Sequence, residues 1–118
     1  MKEVLKIINE YKEIGSEDLV LDDTKVEITQ EVKQELEKLS DLVYLSMNNC
    51  QIKSLAHFPA LKNLVTLELN ENEFPARELS HLKGLVALKA LDIDSVDIET
   101  MAQLEPLKEL KNLQKLEL

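Results

Sequence analysis

Cysteine occurs once in 118 residues, at Cys50, which removes any disulfide framework and any cysteine-based zinc quartet and points to a reducing compartment. Glycine is almost as scarce. Gly15 and Gly84 are the only two, so a glycine-rich phosphate loop is excluded. Tryptophan is absent, and the only aromatics are Tyr11, Tyr44, Phe58 and Phe74, so leucine and isoleucine must build the core. Positive charge is short as well: 23 acidic residues face 14 basic ones, Arg77 is the sole arginine, and the net charge is -9. Phosphate recognition needs concentrated Lys and Arg, so this balance argues against direct nucleic-acid binding and favours a basic partner. No apolar run approaches the length of a membrane span, and Met1-Lys2-Glu3 places charge where a signal peptide would turn apolar. The expected setting is nucleus or cytoplasm, with no membrane partner.

What the chain does contain is a leucine pattern that returns every 22 to 25 residues. It reads Leu42, Leu45, Met47, Cys50, Ile52, then Leu64, Leu67, Leu69, Asn72, Phe74, then Leu88, Leu91, Ile93, Val96, Ile98. Leu113, Leu116 and Leu118 begin another copy, and Leu19, Leu21, Thr24 and Val26 form a degenerate earlier one. A fixed period in this range is the signature of leucine-rich repeats, in which each unit covers its apolar face only by stacking on neighbours. The expected fold is an α/β solenoid with a parallel β-sheet on the concave face, helical or 3-10 turns on the convex face and an N-terminal helical cap.

One domain should span residues 1–118, divided into a cap helix (1–15), repeats at about 16–41, 42–63, 64–87 and 88–112, and a partial repeat at 113–118. In the cap, Val4, Leu5, Ile8 and Tyr11 share one helical face with Ile7 and Ile14 beside it, and Gly15 ends the helix. Thr29 is placed to cap a second helix running to Leu39, with Val32, Leu36 and Leu39 inward. Strands of about five residues are expected at Tyr44 to Asn48, Thr66 to Asn70 and Ala90 to Asp94. In the return segments Phe58, Leu61, Leu79, Leu82, Leu85, Met101, Leu104, Leu107 and Leu110 should face inward on one or two helical turns. Ending at Leu116-Glu117-Leu118 leaves a strand edge uncovered. Either a longer chain or a second copy should cover it, making the protein a monomer or an edge-paired dimer.

Strand alternation sends the residues between the leucines to the concave surface. The candidate partner-binding residues there are Asp22, Tyr44, Ser46, Asn48, Glu68, Asn70, Asp92, Asp94 and Glu117, with Lys115 as the evident cation. Like charges on adjacent strands weaken a sheet. A face built this way is a candidate surface for a basic protein, with Tyr44 as an aromatic anchor; the competing reading is a solvated face that keeps the domain soluble. No catalytic residue, metal ligand or cofactor is expected. His57 and His81 lie in return segments without a serine or acid partner, and Asp92-Ile93-Asp94-Ser95-Val96-Asp97 imitates a calcium loop but has Asp97 where glycine belongs and Gln103 where glutamate belongs. Cys50 occupies the slot that Asn72 fills one repeat later, and reads as a buried structural thiol.

Several stretches resemble one family. Leu19-Val20-Leu21-Asp22, Leu42-Val43-Tyr44-Leu45-Ser46 leading to Ile52-Lys53-Ser54-Leu55, Leu67-Glu68-Leu69 with Asn72, and Glu105-Pro106-Leu107-Lys108 are similar to the repeat domain of the acidic leucine-rich nuclear phosphoproteins. The resemblance implies a non-catalytic module that moves between nucleus and cytoplasm, binds histones as a chaperone or chromatin regulator, and inhibits a serine/threonine protein phosphatase. Two departures stand out. That family continues into a C-terminal cap and an acidic tail not found in these residues, and Asp94-Ser95-Val96-Asp97 lacks the expected asparagine. The related alternative is a regulatory subunit of a phosphatase or a scaffold of a small nuclear ribonucleoprotein.

Overall fold

The computed structural model describes residues 2–118; Met1, the first residue of the expected cap, lies outside them. Helix α1 (Lys2–Ile14) is followed by strand β1 (Asp18–Val20), helix α2 (Gln30–Glu37), β2 (Tyr44–Ser46), β3 (Thr66–Glu68), a 3-10 helix η1 (Ala76–Leu82), β4 (Ala90–Asp92), a second 3-10 helix η2 (Met101–Glu109) and β5 (Lys115–Glu117). The five strands form one parallel sheet in chain order, β1 to β5. The molecule measures 42 × 26 × 21 Å. No helix among the described residues is long and apolar enough to cross a membrane.

Helix α1 forms because Val4 and Ile8, one turn apart, both lose all exposure while Glu3, Lys6, Glu10 and Glu13 stay outside. Gly15 stops it in a left-handed conformation (φ 70°), its amide returning to the Tyr11 carbonyl at 3.0 Å. Ile14 is not part of the apolar face; it is 75% exposed because the chain is already turning away there. In α2, Thr29 Oγ1 accepts from the Val32 amide at 3.2 Å, and Val32 and Leu36 are buried. The two helices pack together, with Glu35 bound by both Lys12 and Lys38. Those two ammonium groups hold the Glu35 carboxyl at about 2.

Register is uniform across the sheet. Leu19, Leu45, Leu67, Leu91 and Leu116 are aligned, and the first four are at most 1% exposed. Leu21, Met47, Leu69 and Ile93 form a second buried row. Truncating any of these leucines to alanine would cost about 2–5 kcal/mol by cavity formation.

The strands are three residues long, shorter than the five expected. Backbone pairing runs one step further, as in Met47 N to Glu68 O at 2.9 Å and Leu69 N to Asp92 O at 2.8 Å. Side chains then take over the next amides: Asp22 Oδ1 accepts from Asn48 N, Asn48 Oδ1 from Asn70 N and Asn70 Oδ1 from Asp94 N, at 2.8, 2.8 and 2.9 Å. The following residues, Asp23, Asn49 and Glu71, are left-handed (φ 64°, 54° and 61°), so these three repeats turn their corners at the same place.

Below that corner Asn72 is completely buried. Its Oδ1 accepts from Cys50 N (2.9 Å) and Ile52 N (3.1 Å), and its Nδ2 donates to Met47 O (2.8 Å) and Leu69 O (3.1 Å). Cys50 fills the same slot one repeat earlier, its Sγ directed at Leu21 O at 3.1 Å; Val96 fills it one repeat later and has no polar atom to offer.

The return segments depart from expectation in two places. Phe58 and Leu61 are buried (7% and 4% exposed) on non-helical turns around the proline Pro59, since the 22-residue interval from β2 to β3 leaves little length to wind a helix. Met101 is 79% exposed at the first turn of η2, before that segment reaches the core through Leu107 and Leu110.

Candidate functional site

The concave face is organised by the columns that sheet register creates. Val20, Ser46, Glu68, Asp92 and Glu117 lie in one row and Asp18, Tyr44, Thr66, Ala90 and Lys115 in the row beside it. Parallel strands place neighbours about 4.8 Å apart, which brings Glu68, Asp92 and Glu117 together as three successive carboxylates.

The half of this face built on β1 to β3 is internally bonded. Tyr44 Oη donates to Glu68 Oε2 at 2.8 Å. Ser46 Oγ donates to Asp22 Oδ1 at 2.6 Å, while Asn48 Nδ2 donates to Ser46 Oγ (3.1 Å) and to Glu68 Oε1 (3.0 Å). Ser46 is thereby 1% exposed, covered by the longer side chains on either side, and is no contact residue as it stands. Asp22, Asn48 and Asn70 remain at the surface but carry the amide ladder described above. Tyr44 is half-buried with its hydroxyl engaged; burial and then its bond to Glu68 push the phenol above its usual range.

The half built on β4 and β5 is different. Asp94 and Glu117 are exposed, and Asp92 is half-buried with its Oδ1 enclosed and without a hydrogen-bond partner. Burial raises the Asp92 carboxyl, and the charges of Glu117, Asp94 and Glu68 push the same way against a bond from Asn70. Lys115 reaches Glu117 at 2.9 Å and depresses that carboxyl. A small cavity of about 110 Å³ lies between Thr66, Glu68, Ala90, Asp92, Lys115 and Glu117, opened by the short Ala90 side chain. Of the nine residues read from sequence, Asp92 keeps a carboxylate oxygen without a partner, Asp94 and Glu117 are exposed carboxylates that accept from Ser95 Oγ (3.0 Å) and Lys115 Nζ (2.9 Å), and Asp22, Tyr44, Ser46, Asn48, Glu68 and Asn70 bond to one another or to the backbone.

Elsewhere, no group of three or more His, Cys, Asp or Glu side chains among the described residues is arranged to hold a metal. Cys50 is fully buried, and burial pushes its thiol up to about 11. His57 and His81 are exposed; His57 Nδ1 is 3.1 Å from Gln30 Nε2, and His81 Nε2 is 3.8 Å from Glu78 Oε1. Glu78 drew no notice in the sequence, yet it accepts from Ser54 Oγ and the Leu55 amide, both at 2.8 Å, and ties two return segments together.

Five parallel strands in chain order, an aligned leucine row and a buried asparagine at the corner define the leucine-rich-repeat class. Solved structures agree on the fold. A Caenorhabditis elegans tropomodulin C-terminal domain matches 98% of this chain and 82% of its own length (TM-score 0.65, 14% identity). An internalin from Listeria monocytogenes matches 95% of this chain and 37% of its own length (TM-score 0.56, 18% identity). No protein-family model matches the chain. Among curated proteins, an acidic leucine-rich nuclear phosphoprotein 32-related protein of Plasmodium falciparum is 33% identical over 113 residues, 92% of this chain and 40% of the relative. One from Oryza sativa is 38% identical over 78 residues, 64% of this chain and 16% of the relative. A protein of Tetrahymena thermophila that is named as a histone is 31% identical over 87 residues, 74% of this chain and 22% of the relative. By its repeat domain the chain belongs to the acidic leucine-rich nuclear phosphoprotein family, and it spans less than half the length of these relatives.

Proposed function

We propose that the chain is a non-catalytic nuclear protein-binding module whose concave face takes basic proteins of the histone kind. The observation that carries this reading is the in-register series Glu68, Asp92 and Glu117, with Asp94 beside it. Nothing in a repeat fold requires three carboxylates on adjacent strands, and Asp92 is held above its usual range by burial and by these neighbours. A lysine or arginine from a partner, paired with the exposed Asp94 and Glu117 carboxylates, would relieve that repulsion. The relatives' names point the same way, since they include nuclear phosphoproteins and a histone.

The test is titration of the chain with purified core histones at about 0.15 M and about 0.5 M salt, where the Debye length shortens from about 8 Å to under 5 Å. Saturable binding that weakens by about tenfold or more at the higher salt, and that is lost in Asp94→Lys with Glu117→Lys, supports the reading. Both substitutions fall on exposed side chains outside the amide ladder and spare the fold. Binding indifferent to salt and to both charge reversals would contradict it.

A further inference from the structure

Part of the surface formed by the return segments is locally rich in lysine. Two adjoining grooves run along the return segments, one of about 680 Å³ and one of about 460 Å³, sharing Ala56 and His57 in their walls. Lys33 and Lys83 line the first and Lys25 and Lys53 the second, against a single acid in each, Glu109 and Glu27. In a chain with 23 acids and 14 bases, four lysines against Glu109, Glu27 and the adjoining Glu78, which holds Ser54 and faces His81, are still a local excess of positive charge. None of the four lysines enters an ion pair among the described residues, so their ammonium groups are open to a ligand, as are those of Lys6, Lys62, Lys89 and Lys111 elsewhere.

The larger groove also has an apolar lining, from Phe58, Ala56 and Pro106, between its cations. His57 and His81 stand at its rim, turned toward Gln30 and Glu78 respectively. His57 is left-handed (φ 66°), which sets its ring at the junction of the two grooves.

We infer that these convex grooves bind an acidic peptide segment of a partner protein, its carboxylates paired with Lys33, Lys83, Lys53 and Lys25 and an apolar side chain seated between Ala56 and Pro106. Charge complementarity selects that occupant: unpaired ammonium groups spaced along an elongated groove match a run of carboxylates, while the apolar patch suits a peptide better than a free small anion. The acidic concave face does not cancel the attraction. The molecule is 21 Å across its shortest axis, against a Debye length of about 8 Å at physiological salt, so each face presents its own field. The chain is thereby bipolar, taking a basic ligand on the sheet and an acidic one on the returns. The second binding event stands whether or not the first is a histone.

The experiment is fluorescence anisotropy of a labelled peptide of about ten residues, rich in glutamate with one central phenylalanine, titrated with the full chain, alongside NMR of the His57 and His81 ring protons. Saturable binding is expected, with ring-proton shifts and an affinity about tenfold lower in Lys33→Glu with Lys83→Glu. Asp94→Lys with Glu117→Lys on the other face should leave that affinity within about twofold. Absence of saturation, shifts confined to concave residues, or equal affinity in the Lys33 and Lys83 variant would overturn the inference. Tighter binding of a short RNA than of the peptide would overturn it in favour of a nucleic-acid partner.

Discussion

Removing the Asn72 side chain tests the structural logic of the stack most severely. Asn72→Ala deletes acceptors for the Cys50 and Ile52 amides and donors to the Met47 and Leu69 carbonyls, all in a site with no exposure. A buried backbone group left unpaired costs about 1–3 kcal/mol, and four are orphaned at once. Relaxation and entry of water recover part of that, because alanine leaves room for one. The expected loss is about 3–5 kcal/mol, a large share of the 5–15 kcal/mol typical of a folded domain. Urea unfolding followed by far-ultraviolet circular dichroism reads it as a fall in the midpoint without a change in slope. The converse change, Val96→Asn, introduces the same acceptor one repeat later and should raise the midpoint. A loss below about 1 kcal/mol in Asn72→Ala would refute the reasoning, since the corner would then be held by leucine packing alone.

Three further outcomes follow from titrating groups. Asp92 is raised in the folded state, so its protonated form is favoured by folding, and that contribution is present below the unfolded value of 3.8 and lost as pH rises through the folded one. Asp92→Asn should therefore raise the melting temperature at pH 7 and leave it nearly unchanged near pH 3, measured by calorimetry. Glu35 is depressed from 4.5 to about 2, so its contribution is present above 4.5 and is lost as pH falls toward 2; Glu35→Gln should flatten the stability profile across that window. Cys50, buried and pushed up to about 11, should resist alkylation at pH 8 in the folded protein and react at the rate of unfolding, as mass spectrometry of iodoacetamide-treated samples would show.

The leucine skeleton was legible because its signal is redundant: every strand repeats the same inward pair, and a register error would expose all of them together. Thr29 and Gly15 could be placed for a similar reason, since capping chemistry is local. The concave residues were legible as a column but not as individuals. Sequence alternation puts Ser46 outward, yet the longer Asp22, Asn48 and Glu68 side chains close over it, and that depends on rotamers that no periodicity encodes. The Asp22, Asn48 and Asn70 series did carry a signal. Asx residues at one fixed repeat position read equally well as an interaction surface and as a backbone ladder, and the structure shows the ladder. The convex lysines escaped notice because Lys25, Lys33, Lys53 and Lys83 occupy different positions within their repeats and converge only through the returns. Ile14 and Met101 were assigned inward on apolar character alone, although both sit where a helix begins or ends and the chain direction changes.

The central claim is that basic proteins are read by the carboxylates of β3 to β5, and amide NMR of the chain during titration with a lysine-rich histone tail peptide tests it most directly. The account predicts shifts concentrated at Asp92, Asp94 and Glu117 and their strand neighbours, together with a lowered Asp92 carboxyl in the complex. Shifts spread evenly over the acidic surface, or confined to residues outside the sheet, would contradict it.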